Sequence, residues 1–215
     1  MTLNILLIDT SSSCVELGYA CDDRLIHEYR SCEKNSADTI AYEINKFFKT
    51  DGMSPLKTHA VSLSNGPGSF TGLRIGSAFA KGFCFAAGCK LVQISSLDIL
   101  ANRANLSAQK FAAVISSNSG AGEFYYSVYE KEDGKCKRIS GYSVALMKDI
   151  SSMKIPIVSE TPLPVEFSGE VELADLHETA IQSHHQLAIT MVNDQTFTDI
   201  SNAEPFYMKE FTFKK

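Results

Sequence analysis

Hydrophobic positions recur along this chain with two periods, and the places where the period changes mark its elements. Ile5-Leu6-Leu7-Ile8 is an unbroken apolar run ending at Asp9, the pattern of a strand buried on both faces. From Cys14 to Ala20 the pattern alternates around Val15, Leu17 and Tyr19, breaks at Asp22-Asp23 and resumes from Leu25 to Tyr29, which predicts a hairpin. Asn35 or Ser36 then caps a helix whose apolar positions Ile40, Ile44, Phe47 and Phe48 recur at helical spacing until Asp51-Gly52. Residues 59–64 predict a short strand, a Gly66-Pro67-Gly68 turn follows, and residues 71–88 predict a second helix closed by Gly88. Leu91 to Ile94 is a strand again, and Ser95 or Ser96 caps a short helix carrying Leu97 and Leu100. The order is βββαβαβα.

Past a polar joint at Asn102 to Gln109, a similar order begins again. Phe111 to Ile115 predicts a strand, Glu123 to Glu130 alternates around Phe124, Tyr126 and Val128, and Asp133-Gly134 signals a hairpin returning through Lys135 to Val144. A short helix from Leu146 to Met153, a strand from Ile155 to Val158, a helix from His177 to Val192 and an extended tail from Pro205 complete the pattern. Residues 161–173 carry no readable period. The element order predicts two lobes, 1–105 and a smaller 106–215, each a mixed sheet with flanking helices, the extreme C-terminal tail returning to the first lobe. No repeat is visible at the residue level, so the duplication rests on element order alone.

With 44% hydrophobic and 21% charged residues, the composition is that of a folded globular protein. The six cysteines are scattered without a C-x-x-C pair and read as reduced thiols of a cytosolic protein. The amino-terminal apolar run is too short for a signal segment, and the later one from Phe79 to Cys89 is too short for a membrane span. A net charge of -5, without a basic cluster before Lys214-Lys215, means that any contact with nucleic acid is expected through a partner.

Candidate chemistry centres on two segments. Asp9-Thr10-Ser11 follows the first strand, and Gly66, Gly68, Ser69 and Thr71 surround the start of the second helix, where backbone N–H groups can meet an anion. The spacing fits neither the Walker A nor the dinucleotide fingerprint, so a tight strand-to-helix connection is the competing reading. On the second helix Leu73, Phe79, Ala80 and Phe83 with Gly72 and Gly76 cover most of the circumference, and Arg74, Ser77 and Lys81 leave one polar stripe. Such a helix needs cover on two sides, from a partner helix or from a loop or lobe of the same chain. Catalytic groups are scarce: the five histidines form no metal-binding pair, and adjacent His184 and His185 are expected as solvated or half-buried side chains.

Ile8-Asp9-Thr10-Ser11, the run Gly66 to Gly76 through Ala80-Lys81-Gly82, Ser95-Ser96-Leu97, Glu123-Phe124-Tyr125 and Glu204-Pro205-Phe206-Tyr207-Met208-Lys209 together resemble the bacterial TsaB (YeaZ) family of tRNA threonylcarbamoyladenosine biosynthesis proteins. The resemblance implies an α/β, actin-like (RNase H-like, ASKHA) two-lobed fold and a cytoplasmic, non-catalytic relative of TsaD that supports threonylcarbamoyl transfer to adenosine 37 of tRNA. It implies a TsaD-like partner, a TsaE-like ATPase in the assembly, a homodimer when alone, and tRNA contact only through the complex. The first-lobe helices are the implied interface, through Ile40, Ile44, Phe47, Gly72, Leu73, Gly76, Phe79, Ala80 and Phe83. No catalytic residue, metal or cofactor is expected, except ATP or ADP at a shared subunit interface. The alternative is an ATPase or small-molecule kinase of the same fold. Asn118-Ser119-Gly120, Asn35-Ser36 and Met208-Lys209 depart from the family's pattern.

Overall fold

The structure is a computed structural model and describes residues 2–32, 36–50, 54–117, 122–132, 134–161, 163, 175–176 and 179–208. Its first sheet contains β1 (Asn4–Asp9), β2 (Val15–Cys21), β3 (Arg24–Ser31), β4 (Ala60–Ser64) and β5 (Lys90–Ile94) in the order β3-β2-β1-β4-β5. β1 is central, antiparallel to β2 and parallel to β4. Strand alternation divides its apolar run between two cores. Leu6 and Ile8 face one, with Val61, Leu63 and Leu91, under α1 (Ser36–Thr50) and α2 (Phe70–Ala87). Ile5 and Leu7 face the other, with Val92 and Ile94, under α5 (Ala180–Asn193).

The second sheet contains β7 (Lys110–Ser116), β8 (Glu123–Glu132), β10 (Ser143–Leu146) and β11 (Ile157–Val158), with β9 (Lys135–Arg138) also pairing β8. The segment read as one returning strand from Lys135 to Val144 is therefore two. α3 (Ser96–Asn102) packs Leu97, Leu100 and Ala101 on one face, and α4 (Met147–Ser151) packs Met147 and Ile150 on the other. β6 (Ala104–Asn105) and β12 (Asp175–Leu176) form a small ladder of their own. The unreadable segment 161–173 lies almost wholly outside the described residues, as do Asn118-Ser119-Gly120, Asn35 and His177.

α3 joins the two halves, because Ile99 enters the α5 core while Leu97 and Leu100 enter the second. Asp98 between them accepts hydrogen bonds from the phenols of Tyr129 and Tyr142, each at 2.7 Å. Although past residue 105, α5 and the tail lie on the first sheet: Thr198 N donates to Leu91 O and Phe206 N to Asn65 O, both at 2.8 Å.

His184 and His185 are both fully buried, not solvated or half-buried as expected, because α5 turns that face onto the sheet. His184 Nε2 and Ser62 Oγ share a hydrogen bond of 2.9 Å, and His184 Nδ1 meets no partner. Burial pushes the imidazole down to about 4, against the opposing pull of the Asp9 charge. The unfolded chain takes that proton near 6.5, so between these values it binds more protons than the fold. The stabilisation is complete above pH 6.5 and erodes as pH falls towards 4, by roughly 3 kcal/mol. Denaturant titrations at pH 7 and 4.5 should show this loss, and His184→Asn should flatten it.

Candidate functional site

The C-terminal ends of the parallel strands β1, β4 and β5 open on one side, where open α/β sheets present ligand-binding residues. Asp9 ends β1, Ser64 ends β4 and Ser96 opens α3. Asp9 Oδ1 accepts from the Ser11 backbone N–H at 2.8 Å and the Ser11 hydroxyl at 2.7 Å. Ser64 Oγ continues the chain to Ser11 Oγ at 3.4 Å and to Ser96 Oγ at 3.0 Å. All four side chains are buried, and Asp9, Ser11 and Ser96 line a cleft of about 340 Å³ that Val114, Ile115, Ser116 and Glu160 also line, with Ser64 behind them.

Both guanidinium groups in this cleft are paired within the chain, and Asp9 is the carboxylate left to the Ser11 donors. Glu16 and Arg30 are cross-strand partners, Arg30 Nε donating to Glu16 Oε1 at 3.0 Å, and Arg103 pairs with Glu160. Burial pushes the Glu16 carboxyl up, the Asp9 charge adds to this and Arg30 opposes it. Burial lowers the Arg103 guanidinium, while Glu16 and Asp9 hold it charged. A phosphate entering here would face two carboxylates, Asp9 and Glu16, and find its cations already engaged. Glu16, Arg30, Arg103 and Glu160 were not singled out in the sequence. The hairpin pattern held a signal for the first two, and the polar joint held none for Arg103.

The glycine turn serves the chain itself. Ser69 caps α2, its hydroxyl accepting from Gly72 N at 3.3 Å, and its own N–H donates to Ser11 O at 2.6 Å. A Cβ at Gly68 would overlap the Ser11 carbonyl, one at Gly72 the Thr10 carbonyl, and one at Gly76 the Thr10 hydroxyl. Thr10 Oγ1 donates to Gly72 O at 2.7 Å. Of the residues expected around an anion, Asp9, Ser11 and Gly68 line the cleft. Thr10, Gly66, Ser69 and Thr71 do not line it: the first three serve this junction, and Thr71 is exposed.

Ile40, Ile44, Phe47, Leu73, Gly76 and Ala80 are buried inside the chain, because their helix faces cover the sheet, and Gly72 and Gly76 admit the β1–β2 connection rather than a second helix. Phe79 and Phe83 are half-buried at the edge of that core. The tail reaches the polar stripe, where Lys81 Nζ donates to Ala203 O at 2.9 Å and the exposed Arg74 donates through Nε to Tyr207 Oη at 3.3 Å. What remains open is a third face of α2, with Ala78, Gly82, Phe85 and Ala86 exposed. Phe85 is 85% exposed, and Tyr42 of the neighbouring α1 is 66% exposed.

Two mixed sheets with flanking helices around a cleft at the parallel strand ends define an actin-like, RNase H-like α/β protein. YeaZ from Pseudomonas aeruginosa shares this fold with a TM-score of 0.79 at 19% sequence identity, covering 96% of this chain and all of that one. The chain belongs to the TsaD family, whose model, tRNA N6-adenosine threonylcarbamoyltransferase, matches residues 30–200, and within it sides with the TsaB (YeaZ) proteins. It is similar to the tRNA threonylcarbamoyladenosine biosynthesis protein TsaB of Bacillus subtilis (strain 168), 25% identical over 91% of this chain and 79% of that protein. TsaB of Escherichia coli (strain K12) is 27% identical over 61% of this chain. The match spans 57% of the length of that relative.

Among the described residues no group of three or more His, Cys, Asp and Glu side chains is placed to hold a metal, and no helix is long and apolar enough to cross a membrane.

Proposed function

We propose that this protein is the non-catalytic subunit that binds and supports a TsaD-like enzyme in threonylcarbamoyl transfer to adenosine 37 of tRNA. The observation that carries the reading is the open face of α2. A helix whose other sides are occupied by sheet, loop and tail still presents Phe85 almost fully to solvent beside Ala78, Gly82 and Ala86. Small residues around one protruding aromatic ring suit the close approach of a partner helix, with the ring as anchor. The inward pairing of the cleft's charges is the second support, because it leaves catalysis to the partner. In this reading the protein works in the cytoplasm, a TsaE-like ATPase joins the pair, and a second copy covers the same face when the partner is absent. tRNA is reached only through the complex, and ATP or ADP only at a subunit interface.

Binding of the cognate TsaD-like protein tests this directly. Phe85→Glu should weaken the complex by roughly 30-fold or more. Gly82→Arg should do likewise, and since a Cβ at Gly82 meets nothing within 4 Å it should leave the melting temperature unchanged or slightly higher. Wild-type affinity in both variants would overturn the assignment.

A further inference from the structure

Cys14, at the end of the β1–β2 connection, and Cys32, just past β3, are joined as a disulfide with Cα atoms 4.0 Å apart. This corrects the expectation that all six cysteines are free thiols. Their meeting depends on one irregularity in the hairpin. Near the turn Cys21 pairs with Arg24 and Ala20 with Leu25, but Tyr19 pairs with His27, so Ile26 is an extra residue in β3. A one-residue slip exchanges the face of every later side chain. With the bulge, Val15 lies opposite Ser31, and the next facing positions are those of Cys14 and Cys32. Without it, Cys14 would oppose Ser31. The remaining described cysteines, Cys21, Cys84, Cys89 and Cys136, are free, although Cys84 and Cys89 touch.

We propose that the Cys14–Cys32 bond is a reversible thiol–disulfide switch that fastens the rim of the cleft to the end of β3. The inference concerns the chain alone and stands apart from the proposed partner. Cys14 lines the cleft beside Ser12 and Ser13, while Cys32 lies four residues before Ser36, the first residue of α1. One covalent bond therefore ties the cleft rim to the end of β3. The cross-link spans 18 residues of sequence, enough to restrain the unfolded chain appreciably.

The bond is open to attack from one side, since Cys32 is exposed and Cys14 is buried. A thiolate of a small dithiol attacks Cys32 Sγ, forming a mixed disulfide and breaking the bond to Cys14, which leaves as a thiolate and takes a proton. Ser13 Oγ, 3.9 Å from Cys14 Sγ, stands beside that leaving sulfur. The second thiolate of the dithiol then attacks the mixed disulfide and releases Cys32, which is protonated, while the reductant departs as its cyclic disulfide. Two electrons and two protons reach the protein. A small-molecule disulfide reverses the exchange by the same route.

The test uses the full-length native protein, treated with oxidised glutathione or with dithiothreitol, alkylated without denaturant and mapped by peptide mass spectrometry. The exposed Cys32 should stay unlabelled after oxidised glutathione and become labelled after dithiothreitol, and the cross-linked Cys14–Cys32 peptide pair should appear only after oxidised glutathione. The reduced form should melt roughly 5–10 °C lower, and re-oxidation should restore both properties. Cys32→Ser should melt like the reduced form and stop responding to either reagent. Labelling of Cys32 after oxidised glutathione overturns the proposal. So does protection that persists in dithiothreitol until the protein unfolds, or a melting temperature unmoved by reduction.

Discussion

Asp98→Ala is expected to cost about 3–5 kcal/mol of folding stability and to lower the melting temperature by about 10 °C. The carboxylate sits on the short helix that belongs to both halves of the molecule, and it accepts the phenols of Tyr129 from β8 and Tyr142 from the segment before β10. Each is a hydrogen bond to a charged acceptor, worth about 1.5–3 kcal/mol, and removing the shared acceptor leaves two phenols without their partner. Burial, with the Asp98 charge beside it, pushes both phenols well above the ordinary tyrosine range, so they remain donors at every pH at which the protein is handled. Tyr142 is held further by Arg138, 3.8 Å over its ring, and by Phe206 of the tail at a centroid distance of 5.2 Å. Tyr142→Phe keeps those ring contacts and loses one bond, so it should cost only about 1–2 kcal/mol. Denaturant titrations of the two single variants and the double variant measure the coupling. A melting temperature of Asp98→Ala within 2 °C of wild type would remove Asp98 from the joint between the halves.

The first half of the fold was legible because its signals are local. The buried run at Ile5 to Ile8, the alternation at Val15 to Tyr19 and the capped helices each state their own period, and each became the expected element. Harder to read was which face meets which neighbour. Alternation along β4 places Ser62 opposite to Val61 and Leu63, but its partner His184 arrives more than a hundred residues later on a helix the pattern could not assign to that sheet. The Glu16–Arg30 pair and the Cys14–Cys32 bond were hidden by one bulged residue, which a turn centred on Asp22-Asp23 does not announce. Asp9, Ser11 and Gly68 were found because a strand end and a glycine turn are local marks, whereas Arg103 and Glu160 come from segments without a period. The four-residue spacing of Gly72 and Gly76 marks a close approach, and what approaches is the chain's own residue 10, by its carbonyl at Gly72 and its hydroxyl at Gly76.

That distinction yields the second large effect. Gly72→Ala adds a single methyl group, yet its carbon would overlap the Thr10 carbonyl oxygen, a backbone atom fixed by β1 on one side and by the Ser69–Ser11 hydrogen bond on the other. Helix propensity favours the change by about 1 kcal/mol, and overpacking against backbone opposes it by about 3 kcal/mol or more, so the variant should be destabilised by roughly 2 kcal/mol or more. Gly76→Arg is more severe, because the site is buried and even a Cβ there would overlap the Thr10 hydroxyl and press on Leu63, leaving no room for a charged side chain. It should fail to fold, or melt at least 15 °C below wild type. Loss of partner binding in that variant would therefore say nothing about the interface, whereas the same substitution at Gly82, six residues further along the helix in open space, reports on the surface alone. The pair separates the two uses of glycine on one helix: Gly76→Arg should lose its cooperative melt, and Gly82→Arg should keep the melt and lose the partner. A cooperative, wild-type-like melt of Gly76→Arg would show that the β1–β2 connection does not pack on α2 as the structure places it.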